Sequence, residues 1–427
     1  MECVHSALCI FDKPAVQTDI QRNNVVDYYP ISSISGSGPI EFHVPGNSEE
    51  YIDLNDTKLY VKFKVTRADG KNIEAADKVG LNNLSIASLF QDVALTVSET
   101  QVEGGQMTYP YLSYFKVMSQ FQPDAQKSHM EAFGWYKDEA GKFDSETNKG
   151  FKTRSELIKG SKLVELEGPL YCDLMMQERY LISQTDLRIK LTPSKPEFVL
   201  NAYGGANKDF KIQFEKVVLY VHRVEINPSV INGHATGMKR QNAIYPLLHS
   251  ELITFTIPKG QKSYTKDRLF PDQAPKMLMV AMVDNDAFNG DIQKNPFHFQ
   301  HFDLNKIALY NEGRSVPGRP MEPDYQNNLY LRAYTNTMRA LGYYNNDDTN
   351  GLTAKEFANG YNIYAFDLTP EKNVASNYRQ GFINKNLRLE LYFDKDLPST
   401  INVLLYGVFD SQLEITQLRD VITHYTR

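Results

Sequence analysis

The sequence alternates apolar and polar residues over many short segments, and this alternation restricts the fold more than any other feature. In "TKLYVKFKV" (57–65), every second residue from Leu59 to Val65 is apolar, and Lys62 and Lys64 are among the residues between them. Side chains of a β-strand point alternately to opposite faces, so this segment predicts a strand with one buried and one solvated face. Such strands are typical of antiparallel sheets in sandwiches and barrels.

Eleven segments carry strand patterns and are separated by glycine, proline and polar clusters. They are residues 38–44, 57–65, 92–98, 186–192, 211–224, 250–257, 276–283, 304–310, 360–368, 386–393 and 400–409. Two other segments have apolar residues at helical spacing and predict helices. These residues are Tyr111, Tyr114, Phe115 and Met118 in the first helix, and Leu331, Tyr334, Met338 and Leu341 in the second. Gly342 is the predicted stop of the second helix.

The predicted elements recur in the same order half a chain apart, which indicates an internal repeat. The matches join 93–102 to 307–316, Tyr114 and Met118 to Tyr334 and Met338, 187–191 to 387–391, and 217–220 to 403–406. The shared order favours a duplication over chance. A β-sandwich unit of about 200 residues, used twice, fits the 427-residue chain.

Two segments lack the strand pattern. Residues 1–37 carry four acidic and two basic residues and are predicted to be an N-terminal arm. Residues 122–165 are charged and aperiodic, and they are predicted to be a large surface insertion. The predicted domains are therefore a first unit at 38–226, which contains the insertion, and a second unit at 227–427.

Composition restricts the function classes. A net charge of −6 and a pI near 5.9 disfavour strong direct binding of nucleic acid. The cysteines Cys3, Cys9 and Cys172 form no CxxC pair, which fits a reducing compartment. The first residues show no signal-peptide pattern. The longest apolar run, 277–283, is much shorter than the ~18 residues that a membrane span requires.

Two loops resemble calcium-binding loops in part. In "VDNDAFNGD", Asp284 and Asp286 take the first and third ligand positions, but Phe288 stands where the next oxygen ligand is required. The second loop, 345–357, has Asn346, Asp348, Asn350 and Gly351 at fitting positions, but Phe357 replaces the bidentate glutamate and Glu356 is one residue early. Turn formation explains both loops equally well, because Asp, Asn and Gly are what turns require.

The pair His298 and His301 is a weak candidate for zinc. The surrounding "FHFQHF" alternates like a strand, and residues three apart on a strand face opposite sides. No third ligand is close in sequence. We predict that both histidines lie on a polar face beside packed Phe297, Phe299 and Phe302.

No catalytic motif is present. The sequence lacks a nucleophile elbow, an HExxH metalloprotease motif, a P-loop and a dinucleotide-binding glycine motif. The acidic pairs Glu49–Glu50 and Asp347–Asp348 are adjacent in sequence and predicted to be solvated. The basic pair 239–240 is too short for a phosphate site. We therefore predict no enzyme, and no catalytic, cofactor-binding or metal-binding residues.

Strings from both halves resemble the major capsid protein of Polinton (Maverick) elements and of related adintovirus-type viruses of animals. The first half contains "GPIEFHVPG", "YIDLNDTKLYVKFKVTRADG", "SLFQDVALTVS" and "YPYLSYFKVM". The second half contains "DRLFPDQAPKMLMVAMVDNDAFNGD", "NPFHFQHFDL", "LRAYTNTM" and "YAFDLTP". The resemblance extends from Gly38 to Tyr425 and rests on the order of many strings.

This resemblance implies an all-β fold of two tandem jelly-roll sandwiches, a double jelly roll, with short helices in connecting loops. It implies homotrimers of pseudo-hexagonal outline that contact neighbouring capsomers and a penton or minor capsid protein. It further implies an icosahedral shell around double-stranded DNA, and a virion protein that is made in the host cytosol. Two full jelly rolls need sixteen strands, so further short strands are expected in the loops.

Two alternatives remain open from the sequence. A two-sandwich carbohydrate-binding protein or glycan hydrolase predicts secretion, a cleft lined with aromatic residues, and two spaced carboxylates. The missing signal peptide and the unpaired cysteines count against it. A domesticated, host-encoded copy of a capsid gene is the other alternative, and the sequence does not distinguish it from a virus-borne gene.

Overall fold

The computed structural model describes residues 16–34, 38–204, 209–271, 273–372, 374 and 386–424. The first ten strands of this part are β1 Ile20–Tyr28, β2 Ile40–Val44, β3 Glu50–Arg67, β4 Val79–Leu81, β5 Phe90–Val97, β6 Thr100–Glu103, β7 Val164–Pro169, β8 Leu187–Pro193, β9 Leu200–Ala202 and β10 Phe210–Ile226. The others are β11 Ala243–Ile257, β12 Ser263–Lys266, β13 Met277–Asp284, β14 Leu304–Asn311, β15 Arg314–Met321, β16 Ile363–Asp367, β17 Leu387–Phe393, β18 Ile401–Ile415 and β19 Val421–Thr423. The α-helices are α1 Ser85–Ser88, α2 Tyr109–Gln120, α3 Pro123–Gln126, α4 Lys149–Ile158, α5 Pro196–Val199, α6 Pro228–Gly237, α7 Asn285–Asn289, α8 Leu331–Ala340 and α9 Ala354–Ala358.

Sixteen of the described strands form two jelly rolls with the same topology. The sheets of the first roll have the orders β1-β10-β3-β7 and β2-β8-β5-β6, and those of the second β11-β18-β13-β16 and β12-β17-β14-β15. Numbered within each roll, both read 1-8-3-6 and 2-7-4-5. In addition, β19 pairs with β18, and β4 pairs with β9. The predicted all-β double jelly roll is confirmed.

The repeated strings fall on equivalent elements of the two rolls. The matches join the β5–β6 hairpin to the β14–β15 hairpin, α2 to α8, β8 to β17, and β10 to β18. Each of the eleven predicted strands and both predicted helices are present. Gly342 follows α8 with a φ of 82°, a conformation that suits glycine at the end of a helix.

Part of the predicted N-terminal arm belongs to the first roll. Ile20–Tyr28 forms β1, which pairs antiparallel with β10 along its length. The prediction of an arm was wrong for these residues, because β1 is an edge strand with mostly exposed side chains and lacks the apolar alternation of a central strand. Residues 1–15 and 35–37 of the predicted arm lie outside the described residues.

The prediction of a surface insertion at 122–165 was also wrong in its burial. The segment places Met130, Trp135 and Phe143 in the core, each at most 1% exposed. Its helix α4 packs against β4. The burial of this segment could not be predicted from the sequence, because its apolar residues lie among charged ones and follow neither strand nor helix periodicity.

Strands β3 and β13 occupy the same position in the two rolls but are covered differently. In β3, buried apolar residues alternate with half-buried Lys58, Tyr60 and Lys62, whereas every residue of β13 is buried. A strand reads as a continuous apolar run when both of its faces are covered. The outer face of the second roll's β11-β18-β13-β16 sheet must therefore be packed against another part of the chain.

Candidate functional site

Two aspartates of the 283–304 segment bind a lysine. Asp284 caps the N-terminus of α7, where its Oδ1 accepts a hydrogen bond from the Asp286 backbone N–H at 2.9 Å. Lys294 Nζ lies 2.8 Å from both Asp284 Oδ1 and Asp286 Oδ2. Burial opposes ionisation, but the hydrogen bonds from Lys294 and Ser399 hold the pKa of Asp284 below its ordinary value. An ammonium group thus occupies the position where a calcium ion would be expected.

The two histidines of this segment have separate partners. His298 Nδ1 lies 2.7 Å from Asp144 Oδ2, and its ring stacks on Phe143 with 4.8 Å between centroids. The ring of His301 stacks on Tyr325 at 4.0 Å. Burial lowers the pKa of His301. Each histidine is therefore held by an aromatic neighbour of its own.

The polar residues of the 345–357 loop make packing contacts. Asn350 is buried, and its Nδ2 donates to the Met118 carbonyl at 3.0 Å. Glu356 forms a capping box with Thr353 at the start of α9 and pairs with Lys137 at 2.7 Å. The loop thereby joins the second roll to the end of α2 and to the 122–165 segment.

In each of the adjacent acidic pairs one carboxylate has a partner, while Glu49 and Asp347 are exposed as predicted. Glu50 lies 3.4 Å from Arg223, and Asp348 accepts a hydrogen bond from Gln122 at 3.0 Å. Within the described ranges, no three His, Cys, Asp or Glu residues are grouped so that they could hold a metal ion. No helix in the same ranges is long and apolar enough to cross a membrane.

Helix α2 of the first roll packs on the second roll through aromatic rings. The ring pairs are Tyr111 with Phe288 at 5.4 Å, Tyr114 with Phe297 at 4.4 Å, and Phe115 with Tyr406 at 5.4 Å between centroids. Because Tyr406 of β18 pairs in register with Met279 of β13, both side chains are on the outer face of that sheet. Helix α2 thus covers this face and explains the continuous apolar run in β13.

A buried ion pair lies in the same contact. Lys116 Nζ is 2.5 Å from Asp173 Oδ1 and donates to the Tyr171 carbonyl at 2.7 Å. Asp173 Oδ2 accepts from the Ser250 backbone N–H at 2.7 Å and lies 3.1 Å from His249 Nδ1. Burial opposes ionisation of Asp173, but Lys116 brings its pKa down to about 2. This carboxylate therefore joins α2 to β11 of the second roll.

Glu103 adds a second carboxylate to this buried cluster. It accepts hydrogen bonds from the backbone N–H groups of Asp173 and Leu174 at 2.8 and 2.7 Å. Burial, together with the negative charge of Asp173, raises the pKa of Glu103 to about 7. Folding therefore favours the protonated form of Glu103 more than the unfolded chain does.

The 122–165 segment supplies a second polar contact between the rolls. Arg154 Nη2 lies 2.6 Å from Asp138 Oδ1, and both side chains are buried. Asp138 Oδ2 accepts from Asn295 Nδ2 at 3.2 Å, and Tyr361 donates to the Asp138 carbonyl at 2.7 Å. Since Asn295 and Tyr361 belong to the second roll, this segment helps to hold the rolls in one arrangement.

A cleft between the rolls bears on the glycan-binding alternative. Three carboxylates line it: Asp173 and Asp410 are each paired with a lysine, Lys116 at 2.5 Å and Lys276 at 2.9 Å, and Glu178 is exposed. None of the described residues that line this cleft is aromatic. Sugar rings are usually recognised by stacking on aromatic faces, so this cleft lacks what that alternative requires.

The topology places the chain in the double jelly-roll fold class. No protein-family model matches the chain. It is similar to the uncharacterized protein F54H12.2 of Caenorhabditis elegans, at 26% identity over 424 residues, which cover 96% of this chain and 99% of the relative.

Three solved structures share the fold. A chain of the Sputnik virophage, solved by cryo-EM, has a TM-score of 0.66 at 14% identity, and the match covers 99% of this chain and 92% of the virophage chain. A chain of the PBCV-1 virus capsid has a TM-score of 0.60 at 10% identity, covering 98% and 100%. The mavirus major capsid protein has a TM-score of 0.58 at 10% identity, covering 100% and 95%.

Proposed function

We propose that this protein is a major capsid protein that forms homotrimers with a pseudo-hexagonal outline. These capsomers would then build an icosahedral shell around double-stranded DNA. The observation that supports the proposal is that the fold similarity to viral capsid chains extends over almost the whole chain and includes both jelly rolls in order.

The proposed activity is assembly, and we infer that the protein has no catalytic, cofactor-binding or metal-binding residues. A shell subunit must keep its shape while its edges contact neighbours. The stacked rings of α2 support this requirement, and so do the buried carboxylates Asp173 and Asp138, which pair with Lys116 and Arg154 and also accept hydrogen bonds from the second roll.

The finer identity is part of the same proposal. The strings that resemble Polinton and Maverick capsid proteins favour that lineage, and the fold similarity to the mavirus major capsid protein agrees with it. We propose a virion protein that is made in the host cytosol and contacts neighbouring capsomers and a penton or minor protein. We also propose a first domain that ends at 226 and a second domain at 227–427.

Solution mass together with imaging tests the proposal. We expect purified protein to give a species of three chains of 48.8 kDa each by light scattering, with a hexagonal outline in negative stain. Shells or sheets at higher concentration would support the next level of assembly. A monomer that does not associate at any tested concentration would refute the capsid function and favour the glycan-binding alternative.

A further inference from the structure

The outer sheet face of the first roll is equivalent to the face that α2 covers in the second roll. Because 217–220 match 403–406, Tyr220 of β10 is equivalent to Tyr406 of β18. The neighbouring strands agree, since Asp27 of β1 pairs with Tyr220 just as Leu252 of β11 pairs with Tyr406. Tyr406 is 1% exposed beneath Phe115, whereas Tyr220 is half-exposed.

Helix α8 is in turn equivalent to α2. Because Tyr334 and Met338 match Tyr114 and Met118, Leu331 is equivalent to Tyr111, and Thr335 to Phe115. Tyr111 and Phe115 are at most 2% exposed, but Leu331 is 60% exposed. Thus the chain uses one α-helix-on-sheet contact internally and leaves both halves of an equivalent contact open.

Large apolar side chains are exposed on both of these open surfaces. Val25 and Tyr29, 54% and 58% exposed, lie in and just after the edge strand β1, on the sheet face that contains Tyr220. Leu329 and Leu331, 67% and 60% exposed, lie just before and at the start of α8. Exposed apolar side chains in groups mark sites of protein contact.

We infer that, in the capsomer, α8 of one copy packs on the outer β1-β10-β3-β7 face of a second copy of this chain. This inference rests on the proposed function, and it identifies the contact that would join the copies. The two surfaces differ, so the contact is heterologous and can close a ring of three. Six equivalent roll-to-roll contacts, three within chains and three between them, then alternate around the ring.

The contact within the chain and the proposed contact between chains differ in polarity, as their different times of formation require. The contact within the chain forms during folding, and its sheet face carries Met277 and Met279 of the fully buried β13. The contact between chains must remain soluble before assembly, and its sheet face carries Lys58 and Lys62 of β3. A polar rim around a smaller apolar patch is typical of surfaces that exist both free and bound.

Charge also favours this occupant. Helix α8 exposes Arg332 and Arg339 and carries no acidic residue. The opposing face carries lysines in its centre, Lys58 and Lys62 of β3, and acidic residues on its edge strands, Asp27 of β1 and Glu165 and Glu167 of β7. The edge carboxylates can pair with the two arginines, and such pairs fix the orientation of the partners.

Thiol cross-linking between copies tests the inference. The full-length double variant Thr335→Cys/Tyr220→Cys, in a Cys3→Ser/Cys9→Ser background, is treated with a short bismaleimide. Within the chain, the equivalent Phe115 and Tyr406 rings have centroids 5.4 Å apart, so the two new thiols should lie within reach of the reagent. Cys172 is buried and is retained. A matched control pairs Thr335→Cys with Tyr392→Cys, which lies on the other sheet of the second roll.

We expect covalent dimers and trimers from the test pair and only background from the control pair. If light scattering shows a trimer but the test pair cross-links no more than the control, the inference is wrong and the proposed function stands. If the protein is a monomer, the proposed function fails together with the inference. As a second measurement, Leu331→Asp should raise the dissociation constant of the trimer about tenfold or more, whereas Leu418→Asp, at a residue 83% exposed, should not. Equal effects of the two substitutions would also overturn the inference.

Discussion

The buried Lys116–Asp173 pair leads to a quantitative prediction for Lys116→Met. Methionine has a similar length and volume, so the substitution removes the charge and two hydrogen bonds without opening a large cavity. Asp173 would then be a buried carboxylate that has lost its lysine partner, and breaking such a pair costs about 3–5 kcal/mol. We therefore expect a loss of roughly this size from the free energy of unfolding.

Urea unfolding at pH 7 measures this loss, with fluorescence of the single tryptophan, Trp135, as the signal. The matched control is Lys159→Met, since Lys159 pairs with Glu156 and both side chains are more than half exposed. An exposed pair contributes roughly 0–1 kcal/mol, so the control should stay close to wild type.

The double variant Lys116→Met/Asp173→Asn separates the pair from other effects. It removes both charges and keeps an oxygen that accepts from the Ser250 N–H, so it should be more stable than Lys116→Met alone. A single-variant loss below about 1 kcal/mol, or a double variant that is less stable than the single one, would refute the reasoning.

Three further predictions concern protons, packing and cations. Burial raises the pKa of Glu103 to about 7, so the stability that protonated Glu103 contributes is present below its unfolded pKa and is lost as the pH rises through 7. The unfolding free energy of Glu103→Gln, relative to wild type, should therefore increase by about 1–3 kcal/mol from pH 5 to pH 8. A difference that does not change with pH would contradict the raised pKa of Glu103. Phe299→Ala removes a fully buried ring between α2 and the second roll and should cost about 3–5 kcal/mol in the same urea assay, whereas Phe302→Ala, only half-buried, should cost less. Asp284→Ala should cost about 1 kcal/mol through loss of the α7 cap and leave metal content by elemental analysis unchanged; loss of a stoichiometric metal would disprove the structural role.

The sequence predicted the central strands because they obey the alternation that burial on one face imposes. It missed strands of two kinds, short ones such as β4 and β9, and edge strands such as β1 and β15. β15 contains Pro317 and Pro320, which an edge strand tolerates because its free side needs no backbone donor. Edge position depends on the assembled sheet, and local residue patterns do not encode it.

The contacts between the rolls could not be predicted for a different reason. Asp173 and Ser250 are 77 residues apart, and Asp138 and Asn295 are 157 apart. In the sequence, nothing around any of these residues distinguishes it from a polar side chain that is exposed to solvent. Only the fold brings them together, and no periodicity marks a polar residue that will be buried in an ion pair. By contrast, the helical spacing of the aromatic residues in α2 did predict a buried face.

The unequal covering of β3 and β13 has a consequence for synthesis on the ribosome. The first roll leaves the ribosome first, and the outer face of its β1-β10-β3-β7 sheet exposes lysines and tyrosines to solvent. Strand β13 is apolar on both faces and would attract other nascent chains if it emerged alone. By the time β13 is made, α2 is already available to cover it. Reversing the order of the two halves would therefore be expected to lower the yield of soluble protein more than to change the finished fold.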